Sequence, residues 1–255
     1  MLPFLNDFKK KVSKMQNVSL DAKPPAYWNS VGNYAVNKIL SGSYFNGVPQ
    51  GRITAFVGPS DSGKSFLLTN AMKCAQQQDN AFVLAIDSEN ALDYNYLQRV
   101  GVDISPERFQ PVNVITVQDV VTVISEFIDG YIDTYGRYNK DAPKVFVALD
   151  SISMLLTEAE NDNFESGIQK GDQGQQAKQV KHFLKTMTSR MKLCNMTMVV
   201  TAHVYAADPL KGEGLYSVTP SLRYACSLND WLGSFDVISY KNQSPNLDLF
   251  DDICH

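Results

Sequence analysis

The most specific chemistry in this chain lies in one run, Gly58-Pro59-Ser60-Asp61-Ser62-Gly63-Lys64-Ser65. It fits the spacing G-x-x-x-x-G-K-S/T at every fixed position, the pattern of a phosphate-binding loop. A phosphate chain is large and anionic, so it must be wrapped by backbone N–H groups with no side chains in the way. Gly58 and Gly63 permit that approach, and a helix starting here turns its partial positive end toward the anion. Lys64 would then reach the β- and γ-phosphates, and the Ser65 hydroxyl would take one place on Mg2+. The alternative is a strand–turn–helix that merely contains glycines; the complete pattern and both flanks argue against it.

Three further residues suit the same chemistry. Asp150 closes the apolar run Val145-Phe-Val-Ala-Leu149, where an acid at a strand's carboxyl end could hold a nucleotide-associated Mg2+ or orient its water. Many strands also end in Asp as a simple cap. Glu89, in Ile86-Asp87-Ser88-Glu89, follows another such run and could deprotonate the water that attacks a γ-phosphate. Asp87 and Glu89 could equally just cap the next helix, and spacing alone leaves both readings open. His203 ends the run Thr197–Ala202 and could sense phosphate, or be an ordinary structural histidine.

These residues need elements to carry them. Gly51 to Val57 reads as a short buried strand before the loop, and Phe66 to Gln78 as a helix after it. Apolar runs at 81–86, 111–115, 144–149 and 197–201 alternate with helical patterns near 92–100, 118–135 and 174–194. That alternation predicts an α/β fold with a mostly parallel sheet covered by helices on both faces. Leu5, Phe8, Val12 and Met15 recur at helical spacing, which predicts a small amphipathic N-terminal arm, and residues 16–30 read as an extended connector. The expected division therefore starts with 1–30 as helix and linker and a core from residue 31.

The bulk numbers suit this size of domain. At 255 residues, 44% hydrophobic and 20% charged, the chain can bury about 70–75% of its unfolded surface. A net charge of −4 gives no bulk attraction for nucleic acid, though a local loop could still supply one. Cys74, Cys194, Cys226 and Cys254 are scattered, which suits reduced thiols and a cytoplasmic setting rather than a disulfide frame or zinc site. No apolar run approaches the length of a membrane span.

Two stretches, Glu158 to Gln175 and Tyr205 to Thr219, lack periodicity and leave the carboxyl ends of strands. As polyanion-binding loops they would use Lys170, Lys178, Lys181 and Lys211, against Glu158, Glu160, Asp162 and Glu165. Composition alone favours a pair of solvated connections.

The ordered set of motifs resembles the RecA recombinase family. After the phosphate loop come Ile86-Asp-Ser-Glu-Asn-Ala-Leu-Asp93-Tyr-Asn-Tyr96, Arg99-Val-Gly101-Val-Asp103, Leu149-Asp150-Ser151-Ile152 and Val199-Val-Thr-Ala-His203. Within the family the chain is most similar to the phage UvsX type, where the phosphate-sensing position is His. The resemblance covers roughly residues 30 to 205. It implies a RecA-like P-loop core and a DNA-dependent ATPase that uses ATP and Mg2+. It further implies filaments on single-stranded DNA, served by mediator and single-strand-binding proteins. By position, Gly58 through Phe66 would bind nucleotide, Ser65 and Asp150 would hold Mg2+, and Lys64, Glu89 and His203 would be catalytic. Asp93 and Tyr96 would contact the base or sugar side. The stretches at 158–175 and 205–220 would be the two DNA-binding loops, and the N-terminal arm would form the filament.

The resemblance fades after about residue 220, which implies a core over 31–220 and a divergent tail over 221–255. Cys226-Ser-Leu-Asn-Asp-Trp231-Leu-Gly-Ser-Phe-Asp-Val-Ile238 does not align with the family's later strands, and no replacement appears for their cross-subunit cations. The expectation is a C-terminally truncated or divergent member, with strand exchange impaired and a sheet edge left unpaired. Two other readings stay open. One is a hexameric helicase-like or KaiC-like ATPase of the same fold; the other is a non-catalytic nucleotide- or DNA-binding remnant.

Overall fold

The runs Ile53–Gly58 (β3), Phe82–Asp87 (β4) and Val145–Asp150 (β6) are buried along almost their whole length. Strands with no solvated face must lie inside a sheet covered on both sides. The computed structural model describes residues 4–12, 24–167, 174–206, 216–218 and 235–239, and in it these runs form the middle of a seven-stranded sheet. The other members are Phe109–Asn113 (β5), Met196–Ala206 (β7), Tyr216–Val218 (β8) and Phe235–Ser239 (β9). The order is β5-β4-β6-β7-β3-β9, all parallel, with β8 antiparallel on the end of β7.

Helices fill the two faces. Val117–Tyr135 (α5) and Gln175–Met191 (α7) cover one, where Ile124, Ile128, Phe183 and Met187 share a core with Ile53, Ala55 and Val57 of β3. Lys64–Asp79 (α3) and Tyr94–Val100 (α4) cover the other, packing Leu68, Met72 and Leu97 with Phe56 and Phe146. The alternation of β3 side chains thus feeds both cores at once. Each fully buried Leu, Ile or Phe here contributes about 1.5–3 kcal/mol. Smaller elements complete the chain: helix Phe4–Val12 (α1), helix Tyr34–Ser41 (α2), and a two-stranded ribbon of Trp28–Asn29 (β1) with Val48–Pro49 (β2). A tight turn at Ile152–Met154 and helix Glu158–Glu165 (α6) follow β6.

Local chemistry sets the helix starts. Thr116 and Asp119 form a reciprocal capping box on α5, and Thr157 with Glu160 does the same on α6. Asp93 caps α4 by accepting the Asn95 and Tyr96 N–H groups. Gly63 precedes α3 at φ 87, a left-handed conformation that favours glycine.

Several expectations shift. The strand expected at 111–115 is β5, displaced toward Phe109, and Ile115 lies outside it with 58% of its surface exposed. The aperiodic stretch expected from Glu158 is helical for its first eight residues, because the Thr157 capping box stabilises a run that composition marks as a loop. Residues 168–173, including Lys170, and 207–215, including Lys211, lie outside the described residues. Within the divergent C-terminal stretch, β9 pairs parallel with β3 from Ile53↔Phe235 to Val57↔Ser239 and covers that edge of the sheet. Among the described residues, no helix is long and apolar enough to cross a membrane.

The register matters most for chemistry. Asp87 lies opposite Asp150, and Gly58 opposite His203. The carboxyl ends of β4, β6, β3 and β7 therefore share one rim, directly above the start of α3.

Candidate active site

At that rim the chain leaves β3 at Gly58 and turns through Asp61 (φ 60) and Gly63 (φ 87) into α3. Ser62 Oγ donates to the Pro59 carbonyl at 2.8 Å, which tightens the loop. Lys64 is only 7% exposed, and its Nζ donates to the same carbonyl at 2.7 Å. The ammonium thus lies folded over the loop, where an anion would replace the carbonyl as its partner. Burial pushes Lys64 below its ordinary value, while Asp150, Glu89 and Asp61 pull the other way.

Asp150 sits at the end of β6 with its carboxylate hydrogen-bonded by Thr201 of β7 and by Ser65 of α3. Burial raises its carboxyl above the usual range; the two hydroxyls oppose that shift, and Glu89 and Asp87 add to it. Ser65 and Asp150 are hard oxygen donors in direct contact, a set that suits Mg2+ shared with phosphate oxygens. Among the described residues, no group of three or more His, Cys, Asp or Glu is placed to hold a metal by itself.

The ambiguity between Asp87 and Glu89 resolves by geometry. Asp87 is the loop-former: it accepts the Glu89 N–H at 2.9 Å and the Leu92 N–H at 2.8 Å. Glu89 caps nothing. Its Oε1 accepts the Ser151 hydroxyl at 2.6 Å and lies 2.9 Å from His203 Nε2. Burial alone would raise Glu89, but Ser151, His203 and Lys64 outweigh it and hold the carboxyl below its ordinary value. An ionised Glu89 can only accept, so the His203 proton in this contact is on Nε2. Among the described residues both contacts fall on Oε1, which leaves Oε2 to receive a proton.

The loops after β4 and β6 are sewn together. Ser88 N–H donates to the Asp150 carbonyl at 2.9 Å, Ser88 Oγ donates to the Ser151 carbonyl at 2.6 Å, and Ser151 N–H donates back to Ser88 Oγ at 2.9 Å. The Asp150–Ser151 peptide bond is cis. His203 is held in turn by its N–H on Ser153 Oγ at 2.9 Å. Ser88, Ser151, Ser153 and Thr201 were not among the sequence candidates. Thr201 had a weak signal, as a hydroxyl inside a largely apolar strand, and Thr197 shares it.

The remaining candidates are more dispersed. Phe66 is 55% exposed at the start of α3. Tyr96 is partly exposed, and the Asp93 carboxylate is occupied by the α4 cap. Lys178 and Lys181 are exposed on the first half of α7, the end nearer this rim.

The family model of the RecA N-terminal domain matches residues 5–206. The chain belongs to the RecA family. Its similarity to individual RecA proteins is moderate. It is 31% identical over 171 residues to protein RecA of Helicobacter pylori, covering 66% of this chain and 44% of that protein. With protein RecA of Nautilia profundicola it is 26% identical over 168 residues, covering 66% and 43%. The chain therefore spans less than half the length of these curated RecA relatives. The matched region contains every element that builds the rim described above, from β3 through His203.

Proposed function

We propose that this chain is an ATP-dependent, single-stranded-DNA-binding recombinase of the RecA type, of the phage UvsX kind, with its nucleotide site at the carboxyl rim. The observation that carries the reading is the convergence of one lysine, two carboxylates and a histidine from four separate elements on the mouth of one glycine-rich loop.

In this reading, residues 58–66 wrap the triphosphate, and Lys64 leaves the Pro59 carbonyl for the β- and γ-phosphates. Ser65 and Asp150 hold Mg2+, which when bound neutralises charge on the phosphate oxygens. Glu89 takes the proton of the attacking water on Oε2, and the Ser151 hydroxyl keeps its carboxylate aimed. His203 exchanges its Glu89 contact for the γ-phosphate and passes that change along β7 toward residues 207–215. Asp93 and Tyr96 border the base or sugar side. Lys170, Lys178, Lys181 and Lys211 meet the DNA backbone, residues 1–30 are the assembly arm, and 31–220 the ATPase core. The histidine at the phosphate-sensing position favours the UvsX kind.

The test is steady-state ATP hydrolysis with and without single-stranded DNA, beside electron microscopy with a non-hydrolysable ATP analogue. The expected result is DNA-stimulated turnover and open helical filaments. Lys64→Ala should abolish ATP binding, a loss on the order of 100-fold or more, because a buried cation–phosphate contact has no substitute at the loop. Closed rings would point to a helicase-like or KaiC-like assembly. Failure of the intact chain to bind ATP would leave a non-catalytic remnant.

A further inference from the structure

Thr201 is fully buried within β7, between Val200 and Ala202, facing neighbours on β3 and β6. A hydroxyl taken out of water is costly unless it finds a partner. Burial alone does not mark function in this sheet: Thr54, equally buried on β3, has no partner for its hydroxyl among the described residues. Thr201 differs in where it points. Its Oγ1 hydrogen-bonds Asp150 Oδ1, whereas the Leu149 carbonyl is at the 3.5 Å limit. A hydroxyl has one proton, and here it goes to the carboxylate.

We propose that Thr201 is a positioning residue for Asp150, fixing the carboxylate in the orientation that completes the Mg2+ site with Ser65. This rests on the reading of Asp150 and Ser65 as the ion's donors. Mg2+ demands near-octahedral geometry at short distances and tolerates little wandering of its ligands. Asp150 is the last residue of its strand, so its carboxyl group can rotate unless something holds it. Ser65 touches it, but in the loaded site the Ser65 oxygen is committed to the ion. Thr201 donates from the interior of the sheet, from a strand fixed by pairing on both sides. Partners of this kind, one step removed from the ion, set ligand orientation and with it metal affinity.

The experiment measures equilibrium binding of a fluorescent ATP analogue as Mg2+ is titrated, and reads the Mg2+ concentration at half-maximal enhancement. The metal-free affinity of each variant serves as its own baseline, so a loss of folded fraction cancels. Thr201→Val should raise the Mg2+ requirement about ten-fold while leaving metal-free binding unchanged. Thr201→Ser, which restores the hydroxyl, should return to the wild-type requirement. Thermal melts accompany both variants, and if Thr201→Val does not fold, Thr201→Ala removes the same hydroxyl with less crowding. Asp150→Asn gauges the site itself. A shift in Asp150→Asn with none in Thr201→Val would overturn the positioning role and leave Asp150 as a donor. No shift in Asp150→Asn would overturn both. Equal shifts in Thr201→Val and Thr201→Ser would show that packing rather than the hydroxyl matters, and would also sink the proposal.

Discussion

The two rims of the sheet are both polar, yet they treat their polar groups differently. At the amino rim most side chains close on one another or on backbone carbonyls, although Asn29 Oδ1 and Thr197 Oγ1 are buried without a partner among the described residues. Tyr27 OH donates to the Asn195 carbonyl at 2.8 Å, and Lys144 pairs with Asp79 and lies 4.4 Å over the Tyr27 ring. Asn29 Nδ2 reaches the same Asp79 at 2.6 Å, and Asn195 Nδ2 holds the Asn139 and Ala142 carbonyls at 2.9 Å. At the carboxyl rim the groups are held but not spent: among the described residues nothing bonds Glu89 Oε2, Lys64 rests on a carbonyl, and Asp150 with Ser65 makes an oxygen pair suited to an ion. A closed polar network stabilises; an open one waits for a ligand. The contrast separates structure from chemistry more cleanly than polarity or burial would.

The sharpest way to break this comparison is to neutralise the open rim. Glu89→Gln keeps the size and loses the charge. It should lower ATP turnover by about 100- to 10,000-fold, the usual worth of a positioned base, while nucleotide affinity stays close to wild type. Normal turnover in this variant would remove Glu89 from the role and make the carboxyl rim no more reactive than the amino one.

A closed rim should fail differently. Lys144→Met removes the cation that Asp79 holds and leaves a carboxylate only 13% exposed with a single amide partner. The expected cost is about 2 kcal/mol of stability, seen as a lower urea midpoint, with ATP affinity unchanged. A change in ATP affinity at unchanged stability would mean that the two rims are coupled.

How much of this was legible depends on whether a feature is local. The glycine-rich loop at 58–65, Asp150, Glu89 and His203 could be picked out as candidates by residue type and spacing beside apolar runs. The strand order does not. Ser88 and Ser151 are 63 residues apart, and they meet only because β4 lies beside β6. For the same reason sequence could not tell the turn-former Asp87 from Glu89: their difference is one of direction. The helix α6 was hidden by its Asn- and Glu-rich composition, though Thr157 and Glu160 at capping-box spacing were there to be read. The strand β9 was hidden for another reason. A five-residue stretch with three apolar side chains can take many places, and only its pairing with β3 gives it one.

The smallest effect tests the amino rim alone. Burial pushes the Tyr27 hydroxyl well above its ordinary value, and Asp79 and Tyr131 add to the shift. The folded state therefore keeps a proton that the unfolded chain releases above about pH 10. The resulting stability is complete below that pH and is lost as pH rises toward the raised folded value. Tyr27→Phe removes the bond to Asn195 and the titrating proton together. Near neutrality it should cost about 1 kcal/mol. Between about pH 10 and pH 11 it should lose stability less steeply than wild type, with Tyr131, also raised by burial, leaving a residual slope. Urea midpoints across that range read both effects at once. Parallel curves would mean that Tyr27 meets water in the folded state, and the amino rim would then be as open as the other.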